Sequence, residues 1–320
     1  MPLAERTLIS RIRRVARNKP GIIAGIGDDC AILQLPQGRE ILVTTDFSLE
    51  GIHFRRGWQP PDAIGHRCLT RGLSDIAAMG GIPRAAFLSL ALPADLPRKW
   101  VDRFMHGLLR LADQYGVALA GGDTAQSPCG VLADIVVIGF VPKGKAIRRS
   151  GARPGDKIYV TGTLGGAAAA LEMQRAGKKL RPCNFPRYFY PEPRVAVGKY
   201  LREHLLASAM IDSSDGLSTD LAHICKESGF GAEIEEKLLP RATIRKSSRR
   251  VDMNFALNGG EDHELIFAAP HKKRVPARIA GVPITEIGRI VKGKKVVLID
   301  MRGERKELNP QGWEHFSDKK

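Results

Sequence analysis

DAIGHRCLTRGLSDIAAMGGIPRAAFLSLAL, residues 62–92, changes its period partway along. Up to residue 79 the apolar side chains recur three and four apart, as on one face of a helix. From Arg84 the run RAAFLSLAL reads as a strand. The same exchange recurs on both sides. Strands are expected at 40–45 (EILVTT), 131–140 (VLADIVVIGF) and 157–161 (KIYVT), and helices at 98–115, 164–176, 193–206 and 216–228. The class is therefore α/β or α+β. The 320 residues suggest two domains. A basic stretch with glycine and proline, Lys143 to Gly155, places the boundary between 1–147 and 148–320.

Six short segments set acids among glycines and hydroxyls: Gly27-Asp28-Asp29, Thr44-Thr45-Asp46, Ser74-Asp75, Gly121-Gly122-Asp123, Asp212-Ser213-Ser214-Asp215 and Gly259-Gly260-Glu261-Asp262. Asp46 is expected to close a strand, Asp123 follows the apolar run Val117 to Ala120, Asp212 follows Ala209 to Ile211, and Asp75 lies in a helix whose other face is apolar. At strand ends side chains from several elements can converge on one cleft. Carboxylates and hydroxyls are the oxygen donors that a hard cation such as Mg²⁺ takes, and glycine lets a phosphate approach the backbone. Each segment alone has a plainer account, because Asp beside Gly or Ser is ordinary turn and cap chemistry. Ser214 or Asp215, for example, would simply cap a helix beginning near Leu217. Six together point instead to divalent metal ions holding a polyphosphate.

The acids stand out against a basic background. Fifty Lys and Arg against 34 Asp and Glu leave a net charge of +16, which suits an anionic partner: nucleic acid, a membrane surface or a phosphorylated metabolite. The basic runs Arg11–Arg14, Arg148–Arg149, Arg245–Arg250 and Lys292–Lys295 carry no interleaved aromatics to stack on bases. That favours solvated faces over a nucleic-acid groove. Cys30, Cys68, Cys129, Cys183 and Cys225 are scattered without a C-x-x-C, which fits a reducing compartment, and a cytoplasmic location is expected. No apolar run approaches the ~18 residues of a membrane span, and no membrane partner is expected. Near the N-terminus, Leu8, Ile12 and Val15 form one stripe of an amphipathic helix.

Other phosphate chemistries fit less well. Gly139–Ala146 and Gly288–Lys295 approach P-loop spacing but lack its metal-binding hydroxyl, and both read as turns after strands. Gly25-Ile26-Gly27 is half a dinucleotide fingerprint, with Cys30 in place of the third glycine and two aspartates that would repel a bare pyrophosphate. The chain has no H-E-x-x-H, no G-x-S-x-G and no zinc-type Cys/His cluster. At Gly162–Gly166 a strand turns into an Ala-rich helix, whose N-terminus could take a phosphate or simply pack tightly.

Eight motifs in register carry a resemblance: GIGDDCAIL (25–33), TTDFSLEGIHF (44–54), SDIAAMGGIP (74–83), GGDT (121–124), VTGTLGG (160–166), DSSDGL (212–217), GGEDHELIF (259–267) and GWEHF (312–316). In order and spacing they resemble the thiamine-monophosphate kinase family. That family is similar in turn to aminoimidazole ribonucleotide synthetase, selenophosphate synthetase and the hydrogenase-maturation dehydratase. The resemblance implies ATP-dependent phosphorylation of thiamine monophosphate to thiamine diphosphate. It implies a two-domain fold, in which an N-terminal α/β sheet completes a barrel with the second subunit of a homodimer and an α+β C-terminal domain, a mixed sheet with helices, closes over the active site. It also implies that Asp29, Thr44, Thr45, Asp46, Asp75, Asp123 and Asp212 ligate several Mg²⁺ ions, with Asp215 holding a further one. Gly122, Asp123, Arg149 and Ser214 would meet ATP, and His53, Glu261 and Trp313 the substrate. Met105 stands where the family commonly has Tyr beside the adenine, and His263 where GGEDY is frequent. Asp28 and Asp262 are left as structural neighbours.

The sister activities fit less well. Cys30 has no evident activating partner for selenophosphate synthesis, and His315 to Lys320 contain no cysteine for the maturation reaction. No general base is expected, because a phosphate monoester with a second pKa near ~6 is already a nucleophilic dianion at neutral pH.

Overall fold

A computed structural model describes residues 5–16, 19–26, 30–244 and 249–313. By contact the chain divides into two compact units, one of residues 1–76, 81–144 and 189–191, the other of residues 77–80, 145–188 and 192–320.

In the first unit, four long strands form a sheet in the order Arg39–Leu49, Leu132–Pro142, Ile82–Pro93, Ala118–Ser127. The last pair is parallel and the others are antiparallel. Alternation gives the sheet two faces. Ala86, Leu88, Leu90, Ala133, Ile135 and Val137 pack with Leu69, Leu73 and Ile76 of the helix Pro61–Ala78 and with Phe104 and Leu108 of the helix Arg98–Tyr115. The two helices touch at glycines. A Cβ on Gly65 would lie 2.0 Å from the Phe104 carbonyl oxygen, and one on Gly107 would lie 1.8 Å from that of Asp62. The opposite face of the sheet leaves Ile41 51%, Val43 64% and Phe47 55% exposed. Residues 189–191 join this unit through the Tyr190 hydroxyl, which donates to Asp62, and through Pro191, whose carbonyl oxygen lies 2.7 Å from His66 Nε2.

Three local expectations change. The strand carrying Asp46 does not end there but runs on to Leu49, because Asp46, Phe47, Ser48 and Leu49 keep their partners Ile135 to Leu132. Asp123 likewise lies inside Ala118–Ser127 rather than at a strand end. In the helix Glu5–Val15, Leu8 is buried and Ile12 packs on the core, but Val15 is exposed, so the apolar stripe is shorter than its spacing predicts.

The second unit is a mixed sheet of eight strands among the described residues. Seven run in the order Arg305–Glu307, Val296–Ile299, Gly231–Glu235, Val282–Val291, Lys157–Thr161, Leu265–Ala269, Ala209–Asp212, and Arg278–Ile279 pairs with Val282–Val291. Only Val296–Ile299 and Gly231–Glu235 pair in parallel. LIFAA at 265–269 is buried at every position, as a strand covered on both faces requires. Leu217, Leu221 and Ile224 of the helix Leu217–Ser228 complete the core with Ile158, Val160, Ile211, Ile234 and Ile266.

The two P-loop-like stretches are strand ends followed by turns, as expected: Gly139 lies in Leu132–Pro142 and Gly288 in Val282–Val291. All five cysteines are free, and burial pushes the thiols of Cys68 and Cys225 up to about 12. Among the described residues no helix is long and apolar enough to cross a membrane.

Candidate functional site

The acids of the first unit are set by strand alternation. Thr44 and Asp46 face the helices, where the Thr44 methyl approaches the Gly72 position, and Thr45 faces the other way. Thr44 Oγ1 donates to the carboxylate of Asp75, which reaches over from the helix Pro61–Ala78. Asp46 shares a hydrogen bond with the same carboxyl. Burial, followed by the charge of Asp75, pushes Asp46 up to about 7, while Arg71 pulls it down and Asp134 adds to the rise. Two carboxyls in contact favour sharing a proton or accepting a cation, and with a hydroxyl beside them every donor is oxygen. That donor set fits Mg²⁺. Among the described residues no three His, Cys, Asp or Glu side chains gather at ligating distance. Asp29, expected to join them, and Asp28 lie outside the described residues.

Thr45 is brought to a residue that sequence reasoning missed. Its hydroxyl donates to Asp134 Oδ1 at 2.8 Å. Asp134 interrupts the apolar strand VLADIVVIGF, and that interruption was the available signal. Register then sets Asp134 opposite Ser89, and Ser89 opposite Asp123, in a line across three strands. Asp123 is exposed and accepts the Thr124 N–H at 2.8 Å. Before it, the strand slips register between Ala86 and Phe87, and Gly122 takes φ 147° with a Cβ position 1.9 Å from the Leu88 carbonyl oxygen. The ring of His53 turns back on its own chain, Nδ1 accepting the Leu49 N–H at 3.0 Å. Met105 is 5% exposed and belongs to the core, so little of its thioether is left for an adenine ring.

In the second unit two motif loops lie side by side. Ser213 N–H donates to the Glu264 carbonyl at 2.7 Å, His263 N–H to the Ser213 carbonyl at 3.0 Å, and Glu261 N–H to the Ser214 carbonyl at 2.8 Å. Asp212, 4% exposed, closes the strand Ala209–Asp212. The plainer alternative for this segment does not hold: neither Ser214 nor Asp215 caps Leu217–Ser228. Gly216 is the cap residue, and the Asp220 carboxylate accepts its N–H at 3.0 Å. Asp220 is a second missed acid, held far above the usual carboxylate range by burial and by the charges of Asp212 and Asp215. Trp313, 47% exposed, is tied to the same loop through its N–H on the Asp215 carbonyl at 3.1 Å. Arg149 is exposed, and its carbonyl accepts the Ser228 hydroxyl at 3.2 Å.

The turn at Gly162–Gly166 resolves in favour of packing. The Asp262 carboxylate accepts the N–H groups of Gly165 at 2.5 Å and Ala167 at 3.1 Å, so the chain's own acid fills the N-terminus of the helix Gly166–Arg175. Burial pushes Asp262 up to about 7 against the pull of those two bonds.

The chain matches two family models, "AIR synthase related protein, N-terminal domain" over residues 27–141 and "AIR synthase related protein, C-terminal domain" over residues 153–301. It is 39% identical to the thiamine-monophosphate kinase of Escherichia coli K12 over 329 aligned positions, covering 99% of each chain. Among solved structures it is similar to the thiamine-monophosphate kinase of Stenotrophomonas maltophilia K279a, with 36% identity, 96% and 99% of the two chains covered and a TM-score of 0.82. It is also similar to AaThiL complexed with AMPPCP and TMP, with 33% identity, 98% and 97% coverage and a TM-score of 0.78. Two-domain architecture, full-length identity and motifs in register together place the chain in the thiamine-monophosphate kinase family.

Proposed function

We propose that this protein transfers the γ-phosphoryl group of ATP to the phosphate of thiamine monophosphate in one in-line step, giving thiamine diphosphate and ADP. The observation that carries this proposal is the Asp46–Asp75 carboxyl pair with Thr44, an oxygen-only cradle in which burial and the neighbouring carboxyl disfavour ionising both acids unless a cation joins them. Thr44, Thr45, Asp46, Asp75, Asp123, Asp212 and Asp215, with Asp29, would hold magnesium. Magnesium bound there would neutralise charge on the phosphoryl oxygens.

The chain's own groups supply position. Gly122, Asp123 and Ser214 would meet the nucleotide, and exposed Arg149 would offer a guanidinium to phosphate oxygens. His53 and Glu261 would orient the acceptor, and the indole of Trp313 offers a face to the thiamine rings. Two anions must approach each other. Two unit charges ~4 Å apart cost about 1 kcal/mol in water and ~4 kcal/mol at a protein surface, so cationic help is a requirement of the chemistry. No proton need be removed from a phosphate dianion, and the reading assigns no general base. The apolar outer face bearing Ile41, Val43 and Phe47 supports a homodimer that covers it.

Purified protein with ATP, Mg²⁺ and thiamine monophosphate should yield equal amounts of thiamine diphosphate and ADP. ADP release that does not depend on thiamine monophosphate would reject the acceptor assignment.

A further inference from the structure

Two residues of GGEDHELIF stand in a backbone region that side chains rarely enter: Glu261 has φ 66° and His263 φ 51°. Such residues are strained and persist only where their surroundings over-determine them. The next residue supplies that constraint. Glu264 has a side chain with 0% exposure, and its carboxylate collects four donors: Thr161 Oγ1 at 2.5 Å, Arg187 Nη2 at 2.6 Å, and Arg194 Nε and Nη2 at 2.7 and 2.8 Å. Arg194 is itself 4% exposed, and its fork grips both carboxylate oxygens. Thr161 also accepts the Leu265 N–H at 2.8 Å, so one hydroxyl fixes both the side chain of Glu264 and the backbone just after it. Gly162 stands against the same carboxylate, where a Cβ would lie 2.0 Å from Glu264 Oε1. Asp262 is anchored on Gly165 and Ala167. The motif VTGTLGG is therefore the socket for the acids on either side of His263, and of residues 261–264 it is Glu261 that is not buried.

We propose that the buried carboxylate of Glu264, held by Thr161, Arg187 and Arg194, is a positioning group that keeps Glu261 in its left-handed conformation against Ser214 and so presents it to the acceptor substrate. The inference rests on the reading of Glu261 as a substrate contact. A buried ion pair is a poor source of net stability, because desolvation offsets attraction, but it fixes one geometry. The network's product is the shape of the 259–264 loop.

The test uses Thr161→Val, which removes one donor to Glu264 while keeping volume, and Thr161→Ser, which restores the hydroxyl. In Thr161→Val, amide exchange at Glu261 and His263 should rise roughly tenfold or more, the loss of the hydrogen bond to the Glu264 carboxylate together with the one from the Leu265 N–H. KM for thiamine monophosphate should rise by a similar factor while KM for ATP holds, and Thr161→Ser should reverse both effects. In a Glu261→Gln background, Thr161→Val should no longer change KM. A drop in melting temperature with unchanged exchange at 261–263 would overturn the proposal, as would an undiminished effect in the Glu261→Gln background. A wild-type protein inactive on thiamine monophosphate would instead sink the substrate reading, and exchange at 261–263 would still decide the positioning role.

Discussion

At Asp46 the burial of an acid beside an acid has consequences for both stability and turnover. The folded protein holds this carboxyl near 7, against 3.8 for a free one. Between those values the folded state keeps a proton that the unfolded chain has released, so the metal-free protein loses stability as pH rises through that window and levels off above it. The loss assigned to this residue is on the order of 2–4 kcal/mol. Urea unfolding in EDTA at pH 5 and pH 8 should give a smaller decline for Asp46→Asn than for the wild type, and Mg²⁺ should recover wild-type stability at pH 8. Equal declines in the two proteins would refute the assignment. Turnover should fall more than roughly a hundredfold in Asp46→Asn and in Asp212→Asn, each with the fold intact by circular dichroism. Met105 makes the opposite case. As a core side chain, its replacement by Ala should cost ~2–5 kcal/mol in urea unfolding. A stability unchanged by Met105→Ala would return that residue to the surface.

At the scale of elements, the crossing of the helices Pro61–Ala78 and Arg98–Tyr115 sets two effects against each other. Gly107→Ala adds about 1 kcal/mol of helix propensity, but its Cβ would fall 1.8 Å from the Asp62 carbonyl oxygen, and backbone must move to admit it. The clash should win by ~1–3 kcal/mol, read as a lowered urea midpoint; a raised midpoint would mean that the helices part easily. Elements of this kind were legible because their signals are local. Helix period, the apolar run 84–92 and the breaks at Gly80–Gly81 and Gly116 can all be read without tertiary contacts. The strand through Asp46 was read too short, because DFSL pairs with a distant segment that no local window contains. Gly231–Glu235 and Val282–Val291 were not singled out: GAEIE has two acids in five residues, and VPITEIGRIV carries Pro, Gly, Glu and Arg. Their strand state comes from the sheet. The candidate site divides in the same way. Motif aspartates could be found in the sequence, whereas Asp134, Asp220 and Glu264 take their place from register, a reversed cap and a buried ion pair, all of them long-range or conformational facts.

At the scale of the whole molecule, the outer face of the four-stranded sheet sets Ile41, Val43 and Phe47 more than half exposed on one long strand. An apolar face of this kind is normally covered. Light scattering should return twice the chain mass, and Val43→Asp should return the chain mass alone while leaving the secondary structure unchanged; a monomeric wild type would reject the covered face. The central claim is a transfer between two phosphates with no general base, driven by acids that hold metal. It is tested most directly by following thiamine diphosphate formation from ATP and thiamine monophosphate as Mg²⁺ is titrated, in the wild type and in Asp46→Asn. Stoichiometric thiamine diphosphate and ADP should appear only with Mg²⁺ in the wild type, and neither product above background in the variant. Folded wild-type protein that forms no thiamine diphosphate at saturating Mg²⁺, or a variant that keeps near-normal turnover, would contradict it.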